Sequence, residues 1–210
     1  MTSQIRGWSR IVACAAAETF APPFGEFLFL RHGETPRNAL RLYQEPDEPL
    51  SEVGLAQARR AAQVLGPAGI GSIVASPMNR AATTAGIVAE ACGLAPTWDP
   101  DFRERLFTAL WGTSSADMDW AQDPQGCETL TEFVSRVGRG TRKAMREHRG
   151  SGRLLIVAHG GVLLALAAML RVTPNEAMRA NAQPIAFREQ DGAWQARLLD
   201  AGARRAAGEV

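Results

Sequence analysis

Leu154-Leu155-Ile156-Val157-Ala158-His159-Gly160-Gly161 is the stretch on which the fold turns. A short run that is apolar at every position reads as a strand covered on both faces, the hallmark of a parallel sheet. The abrupt change to His-Gly-Gly marks its carboxyl end. The same pattern recurs upstream: Phe27 to Leu30 is a short aromatic-rich run between Gly25 and Gly33, and Ile73 to Ala75 reads as another strand. Amphipathic stretches separate these strands. Ser51 opens a helix with Leu55, Ala58, Ala62 and Leu65 on one face and Gly66-Pro67 as its stop. Further helices are predicted from Asn79 to Ala91, closed by Gly93, from about Thr129 to Glu147, and from about Val162. Thr173-Pro174-Asn175-Glu176 predicts a short helix capped by Thr173 with proline at its first position. Pro184 to Phe187 and Trp194 to Leu199, split by Asp191-Gly192, predict a terminal hairpin. Strand and helix alternate throughout, so the fold class is α/β, a three-layer α/β/α sandwich around a mostly parallel central sheet.

The chain has 210 residues, 46% of them hydrophobic and 21% charged, with a net charge of +1. A globule of this size can bury roughly 70% of its extended surface, enough for a core without disulfides. So small a charge excess argues against nucleic acid or an acidic membrane as partner and leaves a local basic pocket open. Cys14, Cys92 and Cys127 are far apart, which supports neither a disulfide framework nor a zinc site and fits a cytoplasmic protein. Arg6 and Arg10 precede a short apolar run from Ile11 to Ala17 that faintly imitates an export signal, but Glu18 breaks it. Residues 1–25 are therefore expected to be a poorly ordered extension, 26–200 the single domain and 201–210 a flexible tail. Monomer and homodimer both remain open.

In doubly wound sheets the reactive groups gather beyond the carboxyl ends of the strands. Those ends read Arg31-His32-Gly33-Glu34-Thr35, Ser76-Pro77-Met78-Asn79-Arg80 and His159-Gly160-Gly161. Of the 3 histidines in the chain, His32 and His159 follow strands directly. An isolated histidine at a strand end is more often a structural hydrogen-bonding group, so the surrounding motifs decide.

Those motifs resemble the histidine phosphatase superfamily, which includes the cofactor-dependent phosphoglycerate mutases. The resemblance rests on Arg31-His32-Gly33-Glu34-Thr35 with Asn38, on Leu50-Ser51-Glu52-Val53-Gly54 with Gln57-Ala58, on Ser76 through Ala85, on Glu104 and on Ala158-His159-Gly160-Gly161. It spans residues 27–199. It implies a phosphoglycerate mutase-like fold and a small phosphorylated substrate, with Thr35, Asn38, Gln44 and Gly160 joining Arg31 and Arg80 in holding phosphate and His159 completing the pocket.

The chemistry of the residues agrees. Phosphoryl transfer spreads charge over the non-bridging oxygens and needs cations around them, with a nucleophile in line with the leaving oxygen. Arg31 and Arg80 can donate forked hydrogen bonds to those oxygens. His32 can attack phosphorus, and neighbouring guanidinium groups should keep it neutral until a dianion arrives. Glu104 is the candidate acid for the leaving alkoxide, and afterwards the base for water. Because arginines and histidines neutralise the charge, no metal or other cofactor is called for. Glu104 stands in the charged run Arg103-Glu104-Arg105, which also suits a solvated face, so Asp99 and Asp101 are fallback acids. His148 reads as a helix-end residue at the negative end of the dipole, and Trp111 and Trp120 as lid or core aromatics.

The chain also departs from the family pattern. Arg37 stands where family members often carry Trp, and Glu45 where a Gly is common, and both are expected at the entrance. Glu104 to Gly112 aligns with a mutase segment, but Leu106 replaces its His and Thr108 its first Gly, which puts the placement of Glu104 in question. Only 54 residues separate Glu104 from His159, and the basic insertion that mutases carry there is missing. The expected activity is therefore hydrolysis of a phosphate monoester through a phosphohistidine on His32, with phosphoglycerate mutase, or a phospholigand-binding protein with impaired turnover, as alternatives.

Overall fold

Apolar runs become strands and amphipathic stretches become helices in the computed structural model, which describes residues 5–18, 22–148 and 151–199. In chain order the elements are α1 (Trp8–Ala15), β1 (Glu26–Arg31), α2 (Pro36–Ala39), α3 (Glu52–Leu65), β2 (Ile70–Ala75), α4 (Asn79–Cys92), β3 (Thr97–Trp98), α5 (Leu130–Glu147), β4 (Arg153–Ala158), α6 (Gly160–Met169), α7 (Glu176–Arg179), β5 (Pro184–Gln190) and β6 (Ala193–Leu198). The six-stranded sheet has the order β3-β2-β4-β1-β5-β6. β1 to β4 pair in parallel, and β5 and β6 join antiparallel as the expected hairpin. Its turn, Asp191-Gly192, has φ of 54° and 79°, the left-handed pair that matches strand twist in a tight hairpin.

Central β4 has apolar neighbours on both faces because successive side chains alternate. Leu154, Ile156 and Ala158 join Phe27 and Phe29 in a core with residues of α1, α5 and α6. Leu155 and Val157 join Leu28 and Leu30 against α3 and α4 on the other face. Three layers result. α6 is buried from Gly161 to Ala168, all round its circumference, as its lack of polar residues requires. α5 instead shows one apolar stripe and starts on a capping box made by Thr129 and Glu132.

Some expectations change. α6 starts at Gly160 rather than near Val162, because His159 takes the extended cap conformation and the glycines begin the helix. Asn175, not Thr173, caps α7: its Oδ1 accepts from Met178 N at 3.0 Å, and Pro174 lies buried before the cap. The poor order expected of residues 1–25 does not hold for 5–18. There α1 packs on α5 and α6, burying Ile11 and Ala15, which are one turn apart on the same face. The tail 201–210 lies outside the described residues. No helix among the described residues is long and apolar enough to cross a membrane.

Candidate active site

The carboxyl ends of β1, β2 and β4 are stitched together by the backbone. His32 N donates to Ala158 O at 2.9 Å and Ser76 N to Val157 O at 3.0 Å. This places His32, Ser76 and His159 side by side, and the first turn of α4 adds Arg80. The loop after β1 lies directly on the amino end of α3. A Cβ at Gly33 would come 2.4 Å from Gly54 O, and one at Gly54 would come 1.9 Å from Glu34 O, so both positions need glycine.

His32 is 3% exposed, and its Nδ1 lies 2.7 Å from Gly33 O. Burial, then Arg80, then Arg31 push its pKa well below the ordinary imidazole value, against a smaller opposing effect of the Gly33 carbonyl. His159, whose ring centroid is 5.1 Å from that of His32, is held neutral by burial first and then by Arg80, His32 and Arg31. Its Nε2 pairs with Ser76 Oγ at 2.8 Å. Burial draws Arg80 down to about 10, partly offset by Glu104, so it stays cationic at neutral pH. Arg80 Nη1 donates to Glu45 O at 2.9 Å and Arg31 Nη1 to Arg179 O at 2.5 Å. Arg31 Nε, Arg80 Nε and His159 Nδ1 are buried without a hydrogen-bond partner among the described residues. Unclaimed buried donors are costly unless a ligand claims them, and an anion in the adjoining cavity can claim those of Arg31 and Arg80.

Glu104 faces Arg31, His32 and Arg80 across a cavity of about 250 Å³; His159, fully buried, stands behind His32 and is not part of the cavity wall. Its Oε2 accepts from Gly161 N at 3.0 Å and its Oε1 from Arg105 N at 3.0 Å. Thr108 has not displaced it: the Thr108 hydroxyl donates to Gly126 O at 2.6 Å, away from the carboxylate. Two buried arginines, which the sequence did not single out, hold this loop. Arg136 of α5 clasps Glu128 with bonds of 2.8 and 2.7 Å and donates to the carbonyls of Asp101 and Arg103. Arg105 binds the carbonyls of Trp120, Gln122 and Glu128 and the Asp123 carboxylate.

Asn38, Gln44 and Gly160 line the cavity, and Tyr43, Phe107, Met118 and Trp120 supply its apolar walls. Thr35 does not line it. Fully buried, it accepts from Asn38 N at 3.0 Å and donates to Gln44 Oε1 at 2.9 Å, so it positions both. Asn181, unforeseen, ties His32 O to Asn38 Oδ1. The entrance roles expected of Arg37 and Glu45 are not met: Arg37 pairs with Glu45 and Glu48, and neither Arg37 nor Glu45 reaches the cavity wall. The fallback acids are committed elsewhere, Asp99 to Lys143 and Asp101 to Arg139. His148 ends α5 but bonds Ser72 Oγ at 2.6 Å, so its partner is a side chain as well as the helix end. A larger cleft of about 750 Å³, between residues 5–9 and 173–179, shares Arg179 with the cavity.

A protein of Yersinia pestis named "Probable phosphoglycerate mutase GpmB" is 34% identical over 166 residues, 71% of this chain and 76% of that one. The mycobacterial glucosyl-3-phosphoglycerate phosphatase solved with VO3 superposes with a TM-score of 0.70 at 26% identity, over 83% of this chain and 97% of that one. A structure described as mycobacterial hydrolase 1 also gives 0.70 at 26%, over 82% and 96%. Residues 27–200 match the sequence pattern of branch 1 of one family, and on that match the chain belongs to the histidine phosphatase superfamily.

Proposed function

We propose that the protein hydrolyses a phosphate monoester, without a metal ion, through a phosphohistidine on His32. The observation that carries this reading is the state of His32, a buried neutral imidazole beside Arg31 and Arg80 with Nδ1 against the Gly33 carbonyl. That carbonyl can only accept, so Nδ1 holds the proton and Nε2 keeps the lone pair. Nε2 attacks phosphorus as the bond to the alcohol oxygen breaks, and the carboxyl of Glu104 gives that oxygen its proton. Arg31, Arg80 and His159 donate to the non-bridging oxygens. Water then attacks phosphorus while the Glu104 carboxylate takes its proton. The phosphorus–nitrogen bond breaks and inorganic phosphate leaves with His32 neutral again.

Phosphoglycerate mutase is the second reading, favoured by the name of the Yersinia relative. A mutase must hold a second acidic group and exclude water. Beyond the phosphate-facing groups the cavity walls are mainly apolar, from Leu42, Tyr43, Phe107, Met118, Trp120 and Leu164; of the two further arginines there, Arg105 is committed to Asp123 and backbone carbonyls, so Arg179 is the cation within reach of a second acidic group. Supplying a phosphoglycerate separates the readings. Inorganic phosphate is the expected product, and isomer formed faster than phosphate would replace hydrolase by mutase. Acid-labile phosphate on His32 that accumulates without turnover would support a binding protein instead.

A further inference from the structure

Residues 5–18 precede the span matched to the family and have no part in the chemistry just given. They nonetheless touch the loop that roofs the cavity at several points. That loop contributes Ser115, Met118 and Trp120 to the cavity wall. Arg6 Nη1 pairs with Asp117 Oδ1 at 3.0 Å, and Arg6 O accepts from Trp120 N at 3.3 Å. Arg10 donates to Ala121 O and to the Asp123 carboxylate. Gly7, with φ +77°, lets the two backbones meet: a Cβ there would fall 2.3 Å from Ala121 N. The other side of the segment is anchored, since Ile11 and Ala15 are buried in the core and Glu18 pairs with Arg142 of α5 at 2.9 Å.

The roof in turn reaches the acid. A Cβ added at Gly161 would meet Glu104 Oε1 at 2.3 Å and Trp120 Cη2 at 2.4 Å, so carboxylate and indole converge on one glycine. Asp123, held by Arg10, also binds Arg105, the residue next to Glu104. A continuous path of contacts therefore runs from α1 through 117–123 to Trp120 and Glu104.

We infer that residues 5–18 form a specificity element, in which Gly7 and Arg10 are positioning residues that fix Trp120 beside Glu104 and so set how well the site turns over esters whose leaving group needs a proton. The exposed Arg6–Asp117 pair contributes little, because exposed ion pairs are weak. The backbone contacts at Gly7 and the bonds of Arg10 carry the coupling. This inference rests on the phosphomonoesterase reading for its kinetic arm and is independent of it for its structural arm.

The test compares Arg10→Ala, Arg10→Lys and Gly7→Ala with Ile11→Val, which thins the anchoring core and leaves the contacts of Gly7 and Arg10 with the roof in place. Hydrogen exchange of residues 113–123 is measured alongside kcat/KM on an alkyl phosphate and on p-nitrophenyl phosphate. Arg10→Ala and Gly7→Ala are expected to speed exchange at Trp120 and Ala121, and to cost about tenfold more on the alkyl ester than on the aryl ester, a fraction of what a general acid supplies. Arg10→Lys should recover part of the ratio. Ile11→Val should lower Tm and leave the ratio alone. If Arg10→Ala lowers Tm but leaves exchange and ratio as in the wild type, or Ile11→Val shifts the ratio equally, the segment only stabilises the fold and the inference is overturned. Failure of the wild type to hydrolyse either ester would sink the phosphatase reading alone, and unchanged exchange in 113–123 would sink this one alone.

Discussion

The two halves of the site are built differently. On one side Arg31, His32, Arg80 and His159 sit on strand ends and first helical turns, whose positions are set by the sheet ladder. On the other side Glu104 and Trp120 belong to residues 99–129, where helical turns of three residues and loops are held by Arg105, Arg136 and Arg10 binding carbonyls and carboxylates. The first half is rigid because its backbone is paired. The second is rigid because guanidinium forks replace the missing pairing. Under the proposed mechanism, phosphate recognition is thus part of the fold, whereas the environment of the leaving group can change without remodelling the sheet.

The sharpest way to break this contrast is His32→Ala, which should abolish both turnover and acid-labile labelling on every ester. Substantial residual hydrolysis would remove the nucleophile from the mechanism. Glu104→Gln should cost roughly 10² to 10⁴-fold on alkyl phosphates and at least a decade less on p-nitrophenyl phosphate, since a good leaving group departs with little help. Equal losses would show that the loop half does not serve the leaving group. Arg80→Ala should lower kcat by on the order of 10² to 10³-fold, the scale of one lost oxyanion donor, and by the same factor on both esters. Unequal factors would blur the division. Arg136→Met should destabilise the fold by about 3 to 5 kcal/mol in denaturant melts, because it leaves Glu128 without its buried partner. A change under about 1 kcal/mol, the scale of an exposed pair, would mean the loop does not depend on the fork.

The smallest expected effect concerns pH. His32 and His159 are neutral in the folded protein at pH values where an unfolded histidine, near 6.5, takes up a proton. Between 6.5 and their lowered values the unfolded chain binds more protons, so stability falls as the solution is acidified through that window. Thermal melts should show this decline, and replacing both histidines by Asn should flatten it.

The strand-end half was legible because each motif follows an apolar run and the end of a strand dictates where the next side chain goes. His32, Arg80 and His159 needed only that reading. The loop half resisted it. Arg103-Glu104-Arg105 looks solvated in one dimension, yet Arg105 is 3% exposed because backbone carbonyls and Asp123 replace its water. Arg136 does carry a signal in the sequence: three residues after Phe133 and one before Val137, it occupies the buried stripe of α5, where a charge must find a buried partner. Thr35 shows the opposite: its place in the motif is explained by capping of α2 and by its bond to Gln44, and it does not reach the cavity wall. The sequence does not announce α1, because its apolar run, Ile11 to Ala17, resembles a broken export signal, and only packing on α5 and α6 makes it a helix worth forming.

The contact of Gly33 with Gly54 has a dynamic consequence. Two backbones in van der Waals contact, with Glu34 N bonded to Gln57 and Ser51 bonded to Glu34, leave the loop carrying His32 no room to fluctuate apart from α3. The loop carrying His32 and the first turns of α3 should therefore open as one cooperative unit, with a common opening free energy. Evolution can loosen the roof residue by residue, but any loosening of the His32 loop must unfasten a helix.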